Sequence, residues 1–209
     1  MKISDIDSKD LLPGISAAAA LRRMNILSEL INEAKSRKIS FIKIYETLLQ
    51  NYLFIGYPSA LLSLKLLKEM YPNKKLPKAA DMNLYHFRIV GEANCKKVYG
   101  NKYEKLISNV KKFSPDMAEW LVLEGYGKVL GRKGLSLKER EQCIVATLTA
   151  LKFEDQLYSH INGAFRAKAS IEEIQSVIEN LSLIGNRNLT SFGLKVLSRY
   201  KKEKGMHTP

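Results

Sequence analysis

Between Leu135 and Gly185 the chain carries apolar residues at helical spacing in three successive runs, a pattern that restricts this part of it to a helical core. Two of the runs open with the same punctuation. Ser136 with Glu139, and Ser170 with Glu173, have the S-x-x-E spacing of a capping box, in which each side chain satisfies an orphan backbone donor of the first turn. Counting from the first box, Leu137, Ile144, Leu148 and Leu151 share one stripe, and Glu141 falls on it too. A carboxylate therefore points inward, where an unpaired ion is expensive, so it must be neutral or meet a hydrogen-bond donor. The next run offers one, because Gln156 and His160 are four apart beside Leu157 and Ile161, and Gly163 and Ala164 leave that flank open. Arg140 and Arg132 are competing partners for Glu141, and a pairing with either would only orient helices. The third run, Ile174, Val177, Ile178, Leu181 and Ile184, closes over the other two before Gly185 ends it.

Elsewhere the chain reads the same way. Residues 1–15 look like a loose arm ending at Pro13-Gly14, followed by helices over about 16–36, 41–55 and 59–70. A Pro/Lys-rich connector spans about 72–82; helices are then predicted over 83–99, over 103–113, and from Pro115 through Trp120. No stretch alternates with period two, so the fold class is all-α. Residues 42–56 also match 171–185 at an offset of 129, pairing Ile42 with Ile171, Asn51 with Asn180 and Gly56 with Gly185. The reading is a duplicated helical unit: residues 16–71 form a degenerate first copy and 83–209 carry the site. At that offset Leu12 stands opposite Glu141 and Ile31 opposite His160, so any chemistry belongs to the second half.

Composition narrows the classes. With 209 residues, 45% of them hydrophobic, the chain can bury a sizeable core. No apolar run approaches the roughly 18 residues of a membrane span, and the N-terminus has no basic region followed by an apolar core, so the expected setting is cytoplasmic. Cys95 and Cys143 have no metal-ligand or C-x-x-C spacing. The net charge of +13 is scattered in pairs such as Lys74-Lys75 and Lys201-Lys202, which reads as a solvated surface and not as a nucleic-acid face.

The stretch GYGKVLGRKGLSLKEREQCIVATLTALKFEDQLYSHINGAF, followed by IEEIQSVIENLSLIG, resembles the carboxymuconolactone decarboxylase family, whose helical fold is shared with the alkylhydroperoxidase-D-like proteins. The resemblance implies two chemistries. In the hydroperoxidase branch a C-x-x-C pair reduces peroxide; Glu141 and His160 match that site, but Phe153 and Gln156 stand where the cysteines would be, so the thiolate nucleophile is missing. Cys143 lies two residues beyond Glu141, roughly 200° around the helix, and cannot replace it. In the decarboxylase branch a histidine transfers a proton to the carbon that loses carbon dioxide, and His160 matches it.

The expectation drawn from this is an enzyme with His160 as proton donor or acceptor and Glu141 setting its orientation. Gln156 and Arg132 fix a small anionic lactone or carboxylate, with no metal or organic cofactor. Tyr126, Tyr158 and Trp120 read as packing aromatics. The alternatives are an alkylhydroperoxidase-like oxidoreductase and a non-catalytic helical module valued for its oligomeric surface. The resemblance further implies a homo-oligomer, a trimer or a hexamer, with no nucleic-acid or membrane partner.

Overall fold

A computed structural model describes residues 2–79 and 81–206, and among them every regular element is helical. The first half runs α1 (Leu11–Ala20), α2 (Met24–Ser36), α3 (Phe41–Gln50) and α4 (Tyr52–Met70). The second half begins with α5 (Leu84–Tyr99), α6 (Tyr103–Lys111) and α7 (Pro115–Trp120), which runs directly into a π-helix, Leu121–Val129. Then follow α8 (Leu137–Leu151), α9 (Glu154–Arg166), α10 (Ile171–Glu179), α11 (Leu181–Ile184) and α12 (Arg187–Glu203). Both capping boxes form as expected, Ser136 with Glu139 and Ser170 with Glu173. None of the described helices is long and apolar enough to cross a membrane.

The N-terminal arm is the main correction. Residues 11–15 belong to α1, and every residue of that helix is buried, Pro13 and Gly14 included. Pro-Gly reads as a turn, but a proline in the first helical turn loses only an N–H that would have had no partner anyway. Gly14 then lets Leu30 and Ile184 pack closely over it. The helix expected over 16–36 is broken between α1 and α2, where Arg22 adopts φ 54°.

The duplication extends beyond the residues that revealed it. The turns joining α1 to α2 and α8 to α9 each hold a basic residue in the left-handed region, Arg22 and Lys152, and those before α3 and α10 hold Lys38 and Lys168. Within each pair the spacing is 130 residues. At that spacing the first-half counterparts of Glu141 and His160 are Leu11 and Leu30, one residue away from those expected, and both are fully buried.

The two copies are not separate domains. α1 packs most extensively on α8, with the Ser16 hydroxyl 2.8 Å from that of Thr147 at the crossing and donating to Asn51 at 2.6 Å. One hydrophobic core runs through both halves, from Leu11, Leu27 and Leu48 to Val145, Ile161 and Ile178. α5 lies equally close against the π-helix. A side chain at Gly91 would overlap the Val122 carbonyl, and one at Gly127 the Phe87 carbonyl, so the backbones touch.

Candidate active site

The inward stripe of α8 carries Glu141 with no exposed surface, and α9 delivers His160 opposite it. His160 Nδ1 lies 2.8 Å from Glu141 Oε2. A carboxylate can only accept, so the hydrogen sits on Nδ1 and Nε2 is left as the second nitrogen. Gly163, one turn further along α9, makes room for the carboxylate, because a Cβ there would overlap Oε2. Glu141 Oε1 is buried with no hydrogen-bond partner in the protein, which makes the imidazole this carboxylate's one polar anchor among the described residues.

His160 also lines a hollow of about 340 Å³. Tyr52, Phe54 and Tyr57 of α4 form one wall, and Tyr99 of α5 a second; Trp120 of α7 and Tyr126 of the π-helix complete the aromatic lining. Phe54 meets the His160 ring edge-on, with centroids 6.1 Å apart at 86°. Nε2 makes no hydrogen bond among the described residues and is not sealed off, which leaves it as the nitrogen free for a guest in the hollow that His160 lines. The Tyr126 hydroxyl donates to that of Tyr99 at 3.0 Å. Burial raises both phenols above the usual tyrosine range, and the charge of Glu141 adds to this, so they remain protonated donors at neutral pH.

The wider helical turn from 121 to 129 aims these groups. The Leu130 N–H donates to the Gly125 carbonyl five residues back, the spacing of a π-helix, and the Tyr126 carbonyl accepts from Asn94 Nδ2 at 3.1 Å. Such turns are rare and recur at functional sites. Glu124, the only acidic residue lining the hollow among the described residues, accepts from the Tyr52 hydroxyl at 2.7 Å and pairs with Lys128 at 3.3 Å.

Two expected site residues stand elsewhere. Gln156 is exposed and does not line the hollow; the inward face of α9 runs through Leu157, His160, Ile161 and Ala164, leaving Gln156 at its margin. Arg132 is committed to Glu46, to which Nη2 and Nε donate at 2.7 and 2.9 Å. Arg140 grips the same carboxylate from the other side at 3.0 Å and donates to Gln50. Glu141 therefore pairs with neither arginine. Among the described residues no lysine or arginine lines the hollow, so the expected anionic guest meets no counter-charge from its lining.

Trp120 and Tyr126, read from sequence as packing groups, are walls of the site, whereas Tyr158 packs on Tyr200 with Arg199 over its ring. The contribution of the first half was missed. Its one sequence signal is the aromatic density of Tyr52, Phe54 and Tyr57 around Gly56, whose φ of 69° bends α4. Both cysteines are fully buried; Cys143 contacts Thr47 of α3, and burial pushes each thiol up to about 12.

The segment from α7 to the start of α12 contains both members of the acid–imidazole pair, and residues 115–193 match the family model described as Carboxymuconolactone decarboxylase family. Over those residues the chain is similar to the carboxymuconolactone decarboxylase family. A 4-carboxymuconolactone decarboxylase from Acinetobacter baylyi is 24% identical over 110 residues, covering 52% of this chain and 82% of that protein. Peroxisomal protein 2 of Schizosaccharomyces pombe is 27% identical over 178 residues, covering 81% of each. The likeness to the decarboxylase takes in about half of the chain, whereas that to the yeast protein extends over both helical copies. The all-α architecture of the described residues agrees with that likeness.

Proposed function

We propose that this chain is a small-molecule enzyme, carboxymuconolactone decarboxylase-like, whose chemical step moves a proton between His160 Nε2 and a carbon of a bound lactone or related carbonyl compound. The observation that carries the reading is the 2.8 Å contact of Nδ1 with buried Glu141 beside a hollow that still admits a guest. Glu141 fixes the imidazole's tautomer and compensates the imidazolium formed when Nε2 takes a proton. The same pair returns that proton to carbon, the step required after carbon dioxide leaves a carboxylated lactone or after a double bond shifts.

A volume of about 340 Å³ suits a metabolite, at the small end of the roughly 300–1,000 Å³ typical of ligand sites. That open space also speaks against a catalytically idle module. A thiol peroxidase mechanism has less support, since Phe153 and Gln156 occupy the positions of the thiol pair and neither buried cysteine is a thiolate near neutral pH.

The test is turnover of a panel of carboxylated and plain lactones in deuterium oxide, followed by NMR. The wild-type chain is expected to place deuterium on carbon, and His160→Ala to lose about 10²–10⁴ of that rate with the helical circular dichroism retained. Unchanged deuterium incorporation in His160→Ala refutes the proposal.

A further inference from the structure

The lining of the hollow narrows what can enter it. Six of its side chains are aromatic, four more are Leu53, Met117, Leu121 and Leu130, and among the described residues its one carboxylic side chain is Glu124. The positive charge in which this chain is rich is absent from this wall. The two arginines nearest in sequence to the π-helix and α8 spend their guanidinium groups on Glu46. A carboxylate entering here gives up hydration and meets no cation among the described lining residues, since the nearby Lys128 is already paired with Glu124, and it faces Glu124 and the negative faces of the rings.

Among the lining side chains, two hydrogen-bonding groups of the buried end of the hollow keep unused capacity. One is His160 Nε2. The other is the Tyr99 hydroxyl, which accepts from Tyr126 and makes no further hydrogen bond among the described residues, so its own hydrogen remains to be donated. A phenol that accepts one hydrogen bond is polarised toward giving the next. A donor and a base facing one largely apolar hollow are what proton removal beside a carbonyl requires.

Resting on the proton-transfer reading above, we infer that the guest is an uncharged, largely apolar carbonyl compound of lactone or ketone type, and that Tyr99 is a second catalytic residue that holds its carbonyl oxygen. In the forward step Nε2 takes the proton from the carbon next to the carbonyl. The electron pair of that C–H bond moves onto the carbonyl oxygen, where the Tyr99 O–H meets the developing negative charge. The imidazolium then returns the proton to the same carbon or to the far end of the conjugated system. The carbon skeleton is unchanged, or isomerised by one double-bond shift, and no oxidant, reductant or co-reactant is consumed. Tyr126 is a positioning residue that acts through Tyr99.

The test uses the full chain at pH 7 with two matched probes, α-angelica lactone and the same unsaturated lactone ring bearing a carboxymethyl group. Trp120, the single tryptophan, lies in the wall and reports binding by its fluorescence. Proton exchange and isomerisation in deuterium oxide report chemistry. The neutral probe is expected to bind at least about tenfold more tightly than the anion, given the penalty for burying an unpaired charge. Tyr99→Phe is expected to slow carbon exchange by about 10²–10³, the usual effect of removing one oxyanion donor, while Tyr126→Phe slows it less. Equal or tighter binding of the anion, no saturable fluorescence change with the neutral probe, or an unchanged exchange rate in Tyr99→Phe each overturns the inference. His160-dependent turnover of the carboxylated probe alone removes this inference and leaves the proton-transfer reading standing; exchange that ignores His160 with both probes removes that reading itself.

Discussion

Gly163 lies against the carboxylate of Glu141 so closely that a single methyl group would overlap Oε2. Alanine in mid-helix ordinarily gains about 1 kcal/mol over glycine, but crowding a packed core costs about 1–3 kcal/mol, and here the crowded group is the carboxylate that orients His160. Gly163→Ala is therefore expected to lower the urea midpoint despite its better helix propensity, and to reduce turnover by more than its stability change explains. Denaturant unfolding and steady-state rates measured on the same preparation check both parts.

The Arg132–Glu46–Arg140 cluster makes the opposite kind of claim. Glu46 and Arg140 are almost wholly buried, and removing the shared carboxylate strands Arg140 in the core. Glu46→Gln is expected to destabilise by about 3–5 kcal/mol. Arg132→Ala leaves Glu46 still paired with Arg140, so a loss of about 1–3 kcal/mol is expected, with the KM for any turned-over substrate unchanged. A large rise in KM for Arg132→Ala would restore the sequence-based expectation that this arginine grips the substrate.

Phe54 tests the role of the first half. Its edge contact with the His160 ring is of a kind worth about 0.5–1.5 kcal/mol beyond burial, and its loss frees the imidazole to tilt. Phe54→Leu is expected to lower kcat about tenfold with the fold intact by circular dichroism. An unchanged kcat would show that α8 and α9 suffice to hold the ring.

Alkaline pH should act on the thiols in a defined direction. Burial pushes Cys95 and Cys143 up to about 12 from an ordinary value of 9.0, so the folded chain keeps protons that the unfolded chain releases. The stability tied to these groups is complete below about pH 9 and drains away as the pH rises from there toward 12. Burial moves Tyr103 and Tyr158 the same way, also to about 12. Thermal midpoints are expected to fall steadily above pH 9, and a disulfide-exchange reagent at pH 8 to find neither thiol until denaturant is added. Rapid labelling of the native chain would contradict this burial.

Much of the site was legible because its signals are local. The capping boxes set the phase of α8 and α10, and helical phase alone turned Glu141 inward and placed His160 across from it. The remainder depended on contacts that no local pattern encodes. Arg132 and Glu46 are 86 positions apart, so nothing near Arg132 announced its partner. The π-helix inserts one extra residue per turn into a run that reads as an ordinary amphipathic segment, which concealed the direction of Tyr126. Pro13-Gly14 carried a strong turn signal overruled by the burial of the whole of α1. Tyr52 and Phe54 lie in the degenerate copy, where sequence alone assigned them no role, and only the packing of the two copies makes them a wall.

That shared wall makes the two halves interdependent. Cutting the backbone between α4 and α5 would leave an N-terminal piece with one aromatic wall but no imidazole, and a C-terminal piece with the imidazole and the remaining aromatics but an open flank. Reassociation of the fragments would have to precede catalysis, so activity should rise with fragment concentration along the same curve as their binding.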